Sequence, residues 1–500
     1  MTKFYELSTE ERLDQLVADG LLSESDAVLL REGGLDTDIA SRMVENHIGD
    51  FPVPLGLAEH FLIDGEQYLI PMATEEPSVI AAAGNAAQRI ARSGGFHTNS
   101  TRGGITAQIV FRGGRSGGSV DAIYEDADGA GTTHVGAGGD ISSSAILAEM
   151  NVAGNAVDAR RAKGPWHDFL HAHIARISEI AQQAHPTLAN HGGGLRSVSV
   201  RRTGDIGVVD HGTMHGGMLN HAGSYAGNDA KSIASNSVGT CTGEFIEFDL
   251  LIDPGAAMGA NTVNTIAEAV SRYLADQLPQ YELLMAILSN CAPQQRAKAR
   301  ACINAELLAT KDMPGTQVAE RIAAASRFAQ MSELRAATHN KGIMNGINAV
   351  VLASGNDTRN VNAAAYADLS ERHRTWTDWR FDGERLIGEI DMPMPIGSVG
   401  GAISTLPTAK LAMRLLRQPS AESLMGIIAS VGLASNLSAM RALVTRGIQA
   451  GHMNLQLQSL AMMAGAQGDE AEELIRWLRA NPRQASLAAA QEQLRRLRGE

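Results

Sequence analysis

Glycine, more than any other residue, limits how this chain can fold. The 52 glycines crowd into residues 93–260, while the flanks on either side carry helix-like apolar spacing. Glycine inside a helix or strand costs roughly 0.5–1 kcal/mol relative to alanine, so the middle of the chain reads as loops and short elements set into a helical body. At 500 residues the chain exceeds what one ordinary core encloses, and two or three domains are expected.

Local patterns sharpen this outline. "STEE" (Ser8 to Glu11) is a capping-box pattern ahead of Leu13, Leu16 and Val17, and the first 45 residues read as helical. Residues 52–72 alternate about Asp64-Gly65, a strong two-residue turn signal, and read as a β-hairpin. Residues 78–96 form an Ala-rich helix stopped by Gly94-Gly95. A helix is expected over 166–190, and strands over 195–202 ("LRSVSVRR") and 244–253. Residues 261–278 form an amphipathic helix with Val263, Ile266, Ala267, Val270 and Leu274 on one face. Two helices are expected before "ATHNKGIMNGINAVVLASGND" (337–357), and a charged surface helix over 469–481. Gly447 and Gly451 form a hinge ahead of the last fifty residues. No internal repeat is evident.

Lys and Arg total 42 against 55 Asp and Glu, a net charge of −13. So acidic a chain is poorly suited to nucleic acid, which calls for clustered cations. No apolar run reaches the length of a membrane span, the first residues lack the apolar core of a signal peptide, and a cytoplasmic location is expected. Cys241, Cys291 and Cys302 form no CxxC pair, which fits a reducing compartment and no structural zinc.

Both the GxGxxG dinucleotide fingerprint and the phosphate-binding P-loop are absent, so any nicotinamide cofactor is held without an ordinary Rossmann turn. Glu75 and Glu76 precede a helix, where carboxylates satisfy the dipole or act as proton donors. Lys341 lies in an apolar setting, as a snorkelling side chain or as a fixed cation for an oxyanion. Asp357 follows Gly355-Asn356, ordinary turn chemistry, and His452 follows Gly451. His167 and His171 are four apart on a helix but lack a third ligand. His211, His215 and His221 sit in a loop without fixed geometry, and Asp126, Asp128 and Gly129 lack the rest of a calcium loop, so no metal site is expected.

Eight blocks in order resemble hydroxymethylglutaryl-CoA reductase of the soluble class II type: "ENHIGDFPVPLG" (45–56), "PMATEEPSV" (71–79), "MGANTVNTIAEAV" (258–270), "LSN" (288–290), "RAATHNKGIMNGI" (335–347), "GND" (355–357), "PIGSVGG" (395–401) and "GHMNLQ" (451–456). The resemblance implies reduction of a CoA thioester to mevalonate and CoA by two hydrides from NADPH or NADH, or the reverse. It places the catalytic set on Glu76, Lys341, Asp357 and His452, and substrate contacts on Ser78, Asn290, Arg335 and Asn345. It implies that Asp357 lies between Lys341 and Glu76, and it assigns cofactor contacts to Met258, Gly259, Asn261 and His185.

The implied fold is α+β. A mainly helical large domain (1–105 and 286–447) surrounds a central helix at 261–278 and binds the CoA thioester. A ferredoxin-like, non-Rossmann cofactor domain (106–285) is inserted, and a helical C-terminal flap (448–500) follows. A homodimer or higher homo-oligomer is implied, with the active site between subunits.

The departures from the pattern fall in the cofactor half. Ala256 stands where many members carry Asp, so a CoA-thioester-binding homologue with impaired hydride transfer is the alternative. Residues 180–191 contain no acid to bind a ribose 2′-hydroxyl and repel a 2′-phosphate, which favours NADPH. Segments 112–165 and 203–243 exceed the pattern as glycine-rich excursions. A metal-dependent hydrolase built on the histidine-rich segments is a further alternative.

Overall fold

The capping box forms as expected: the Ser8 hydroxyl accepts from the Glu11 N–H, and Glu11 Oε2 accepts the Ser8 N–H at 2.7 Å, starting α1 (Thr9–Ala18). Helices α2 (Glu24–Glu32) and α3 (Thr37–Met43) are capped by Ser23 and Asp36. Strands β1 (Leu55–Ile63) and β2 (Glu66–Ala73) pair antiparallel about Asp64 and Gly65, whose φ values of 51° and 86° are what a tight hairpin turn demands. The Ala-rich helix α4 (Val79–Ala91) and strand β3 (Phe96–Arg102) follow. This computed structural model describes residues 4–113, 146–152, 164–190, 192–203, 245–370, 373–445, 447 and 449–499. Cys241, His211, His215, His221, Asp126, Asp128, Gly129 and most of the glycine-rich excursions lie outside the described residues.

Next come β4 (Ile105–Gly113), β5 (Ile146–Asn151), α5 (Pro165–Ala184), α6 (Pro186–Asn190), β6 (Gly194–Thr203), β7 (Phe245–Asp253), α7 (Ala260–Gln277) and β8 (Tyr281–Leu288). After these run β9 (Gln295–Asn304), α8 (Gly315–Met331), α9 (Glu333–Ala353), α10 (Thr358–Ala367), β10 (Thr377–Phe381), β11 (Arg385–Pro393), α11 (Gly401–Thr405), α12 (Pro407–Leu415) and α13 (Ala421–Val444). Three helices close the chain: α14 (Gln449–Ala464), α15 (Gly468–Ala480) and α16 (Leu487–Arg498).

Contacts divide the chain into a larger unit (Met1–Gly103, Ala256–Met258 and Asn290–Glu500) and a smaller one (Gly104–Gly255 and Gly259–Ser289). The larger unit holds a six-stranded sheet ordered β10-β11-β9-β3-β1-β2, in which only β1 and β3 run parallel. Helix α13 lies across β3 and β9 at close range: a Cβ on Gly426 would come within 2.7 Å of Thr98 Oγ1. Helix α13 is long and apolar enough to cross a membrane, which corrects the expectation that no run reaches that length. Its burial, 67% over its most apolar window, is that of a core helix.

The smaller unit is antiparallel throughout, ordered β5-β6-β7-β4-β8. Along β7 the residues Ile246, Phe248, Leu250 and Ile252 alternate inward and are fully buried. The anticipated face of α7 (Val263, Ile266, Ala267, Val270 and Leu274) packs with Leu170, Ile174 and Ile177 of α5 over that sheet. Each Ile, Leu or Phe so buried contributes roughly 1.5–3 kcal/mol.

The fold is α+β, but two expectations need correction. Helix α7 belongs by packing to the smaller unit's core, inside the expected 106–285 span, and not to the larger unit's core, while the larger unit is mainly helical around its six-stranded sheet. Where two helices were expected between 278 and 337, the chain first forms the strands β8 and β9.

Candidate active site

Glu76 sits in the tight turn between β2 and α4, where its N–H donates to Thr74 Oγ1 at 3.1 Å. The turn ends at Ser78, which begins α4 in the left-handed region at φ 72° and offers no side-chain cap. Left-handed backbone at a non-glycine residue is uncommon, costs of order 1–3 kcal/mol, and clusters at functional sites.

Lys341 lies mid-way along α9. The buried side of that helix (Ile343, Met344, Ile347 and Val350) is fixed in the core, which leaves Lys341 on the open side. Its Nζ meets Glu76 Oε2 at 2.5 Å, bringing together residues 265 positions apart. The side chains are 61% and 35% exposed, so the pair adds little to stability and matters for geometry. Asn345, one turn further on, shares the face of Lys341 and is half-buried.

Arg335, also on α9, is half-buried, and burial lowers its pKa. Its Nη2 lies 3.9 Å from Met440 Sδ, and among the described residues no carboxylate pairs with it. A desolvated guanidinium in that state suits an anionic ligand. Asn290 Nδ2 donates to Asn360 Oδ1 at 2.8 Å.

Asp357 does not bridge Lys341 and Glu76. Its carboxylate caps α10, accepting the N–H groups of Arg359 and Asn360 at 2.8 and 3.3 Å, and pairs with Arg359 Nε at 3.0 Å. The Arg359 guanidinium, with those two N–H groups, holds the Asp357 pKa below the usual carboxylate value. Sequence reading passed over Arg359, although "GNDTRN" places it two residues from Asp357. His452 falls in the first turns of α14, where only the backbone is described.

Helix α7 starts at Gly259 (φ 98°) without a side-chain cap, and Asn261 lies in its first turn. The His185 Nδ1 accepts the Leu188 N–H at 3.2 Å, which leaves its proton on Nε2, 3.4 Å from Thr262 Oγ1. An uncapped helix start beside an imidazole suits a phosphorylated cofactor. Met258 belongs to a segment of the larger unit whose neighbour Ala256, an exposed residue, accepts the Ser398 N–H at 2.9 Å through its carbonyl.

His167 and His171 lie with ring centroids 6.2 Å apart, and among the described residues no group of three His, Cys, Asp or Glu could hold a metal. A cleft of about 570 Å³, lined by Leu16, His60, Tyr68, Arg92 and Arg417 among others, contains none of the expected site residues.

The fold is α+β, and its candidate site pairs the Lys341 ammonium with the Glu76 carboxylate. The sequence matches the family description "Hydroxymethylglutaryl-coenzyme A reductase" over residues 8–126 and 130–457. The 3-hydroxy-3-methylglutaryl-coenzyme A reductase of Archaeoglobus fulgidus is 34% identical over 475 residues, covering 94% of this chain and 89% of that protein. Among solved structures, the Streptococcus pneumoniae reductase superposes with a TM-score of 0.68 at 33% identity, covering 99% of both chains. The class II S. pneumoniae enzyme bound to NADPH in open conformations gives a TM-score of 0.67 at 32% identity, covering 88% of this chain and 99% of that one. The chain belongs to the hydroxymethylglutaryl-coenzyme A reductase family, whose members are oxidoreductases.

Proposed function

We propose that this chain converts 3-hydroxy-3-methylglutaryl-CoA to mevalonate and CoA, consuming two hydrides and two protons, or runs the same chemistry in the oxidative direction. The observation that carries this reading is the Lys341–Glu76 contact at 2.5 Å. The reduced nicotinamide, once bound, supplies the hydrides. When the thioester carbonyl becomes tetrahedral its oxygen turns anionic, and the Lys341 ammonium neutralises it, an effect worth ~3–4 kcal/mol for one well-placed donor. The hemithioacetal then expels CoA as a thiolate. That thiolate, whose conjugate thiol has a pKa of about 8.5, takes a proton readily from an imidazolium, the role of His452. Glu76, after taking up a proton from solvent, delivers it to the oxygen that turns anionic in the second reduction. Asp357, anchored by two backbone N–H groups, enters the network by exchanging Arg359, which is 89% exposed.

Ser78, Asn290, Arg335 and Asn345 hold the substrate in this reading, with Arg335 on an anionic group. Met258, Gly259, Asn261 and His185 receive the nicotinamide cofactor, and NADPH is favoured because residues 180–191 carry no acid. The β4-α5-β6-β7-α7-β8 succession supports a ferredoxin-like cofactor domain, a split βαβ arrangement. Residues 448–500 act as the flap that brings His452 in. The open exposure of Lys341 supports a homodimer in which a second chain excludes water from the site; a cytoplasmic location belongs to the same reading.

The test follows the loss of reduced-nicotinamide absorbance with 3-hydroxy-3-methylglutaryl-CoA and each cofactor in turn. Wild type should be active, and Lys341→Ala should lower kcat about 10²–10³-fold with little change in KM. Folded wild-type protein that oxidises neither cofactor refutes the proposal. If calorimetry then shows substrate binding without nicotinamide binding, the chain is a thioester-binding homologue, the reading that Ala256 motivates.

A further inference from the structure

Residues Pro395–Ser398 form a strap held at every position from within the larger unit. The Pro395 carbonyl accepts Asn360 Nδ2 at 2.9 Å, and the Ile396 carbonyl accepts Arg102 Nη1 at 2.6 Å. Gly397 is gripped twice by one side chain: its N–H donates to Asn356 Oδ1 at 2.8 Å, and its carbonyl accepts Asn356 Nδ2 at 3.1 Å. The Ser398 N–H donates to the Ala256 carbonyl at 2.9 Å, and Val399 forms a parallel bridge with Ala257. Arg102 Nη2 also reaches the Ala257 carbonyl at 3.0 Å. On one side, then, the strap grips the turn that carries Asp357, and on the other the segment that carries Met258.

The contact with that segment is close. A Cβ added to Gly397 would lie 2.3 Å from the Met258 nitrogen and 2.7 Å from the Ala257 carbonyl carbon. Only glycine fits there, because backbone meets backbone. Asn356 is 8% exposed, and its remaining donor contact is to Ser354 Oγ at 3.1 Å, so both ends of the carboxamide are bonded and its orientation is fixed. Ala256 is exposed and takes part through its carbonyl oxygen. The placement of the segment therefore does not depend on the side chain at 256.

We propose that Asn356 is a positioning residue: through Gly397 it couples the Asp357 turn to the Ala256–Met258 segment, and so sets how the nicotinamide is received. The last clause rests on the proposed reductase function, while the coupling rests on the contacts alone.

The experiment compares full-length wild type with Asn356→Ala and Gly397→Ala by hydrogen exchange read by mass spectrometry, and by calorimetric titration with NADPH and, separately, with 3-hydroxy-3-methylglutaryl-CoA. Exchange in peptides spanning 254–260 should quicken about tenfold in both variants, the scale of one lost hydrogen bond. The NADPH Kd should rise about tenfold while the thioester Kd stays within about twofold, a split that general loosening would not give. Exchange changes confined to 355–360 and 395–398, or equal weakening of both ligands, would overturn the coupling. If wild type binds neither NADPH nor NADH, the reductase reading falls while the exchange data still decide whether Asn356 holds the segment. Should Asn356→Ala fail to fold, Gly397→Ala disturbs the same contact from the other side and carries the test.

Discussion

His339 stands two residues before Lys341 and is 2% exposed in the core. Its protonation follows from its neighbours. Trp379 Nε1 can only donate, and it does so to Asn436 Oδ1 at 2.7 Å. Asn436 therefore turns its Nδ2 to His339 Nε2 at 3.1 Å, and Thr377 Oγ1 lies 2.6 Å from the same ring nitrogen. Burial, aided by the Arg335 charge, pushes the His339 pKa down to about 3. The unfolded value is about 6.5, so between pH 6.5 and 3 the unfolded chain binds one more proton. His339 thus contributes fully above pH ~6.5, and that contribution falls by up to ~1.4 kcal/mol per pH unit as pH drops toward 3. Chemical denaturation of wild type and His339→Gln at pH 7 and pH 5 should show the gap between them narrowing at pH 5. At this scale the sequence marked Lys341 and Glu76 through their motifs. It could not show that Asp357 faces Arg359, because which partner a carboxylate takes depends on how the turn is folded.

Strands β10 and β11 show how an element tolerates a large side chain. Trp379 and Gly388 are opposite each other, and a Cβ on Gly388 would meet the indole within 2.2 Å. Gly388→Ala should displace Trp379, strain its bond to Asn436, and cost about 1–3 kcal/mol, read as a lowered urea midpoint with unchanged m-value. The hairpin about Asp64-Gly65, helix α7 and the Ser8 cap were all legible, because each is set by a local signal. Strand β9 was not. Its inward positions include Ala297, Ala299 and Ala301, residues with more helix than strand preference. They are small because α13 packs across them, a tertiary demand that leaves no local trace. The face of α7 could be read from its spacing, but the core it joins could not, since periodicity tells which side is buried and not against what.

At the scale of the molecule, each unit encloses its own core, one around Phe61, Phe96 and Trp376, the other around Phe111, Trp166 and Phe248. Trp166 is the only tryptophan in the smaller unit; the others are Trp376, Trp379 and Trp477. It packs edge-on against Phe169 and Phe248 with centroids 5.8 Å away in each case. The fluorescence difference between wild type and Trp166→Phe should therefore follow the smaller unit through a urea titration. Its midpoint should differ from that of the whole-chain far-ultraviolet circular dichroism, whereas one coincident transition would show the two cores melting as one.

The last three helices bury Leu457, Leu474, Leu478 and Leu494 against one another. That self-sufficiency makes the terminal fifty residues a cassette. A change in its interior is answered within the cassette, among those same leucines.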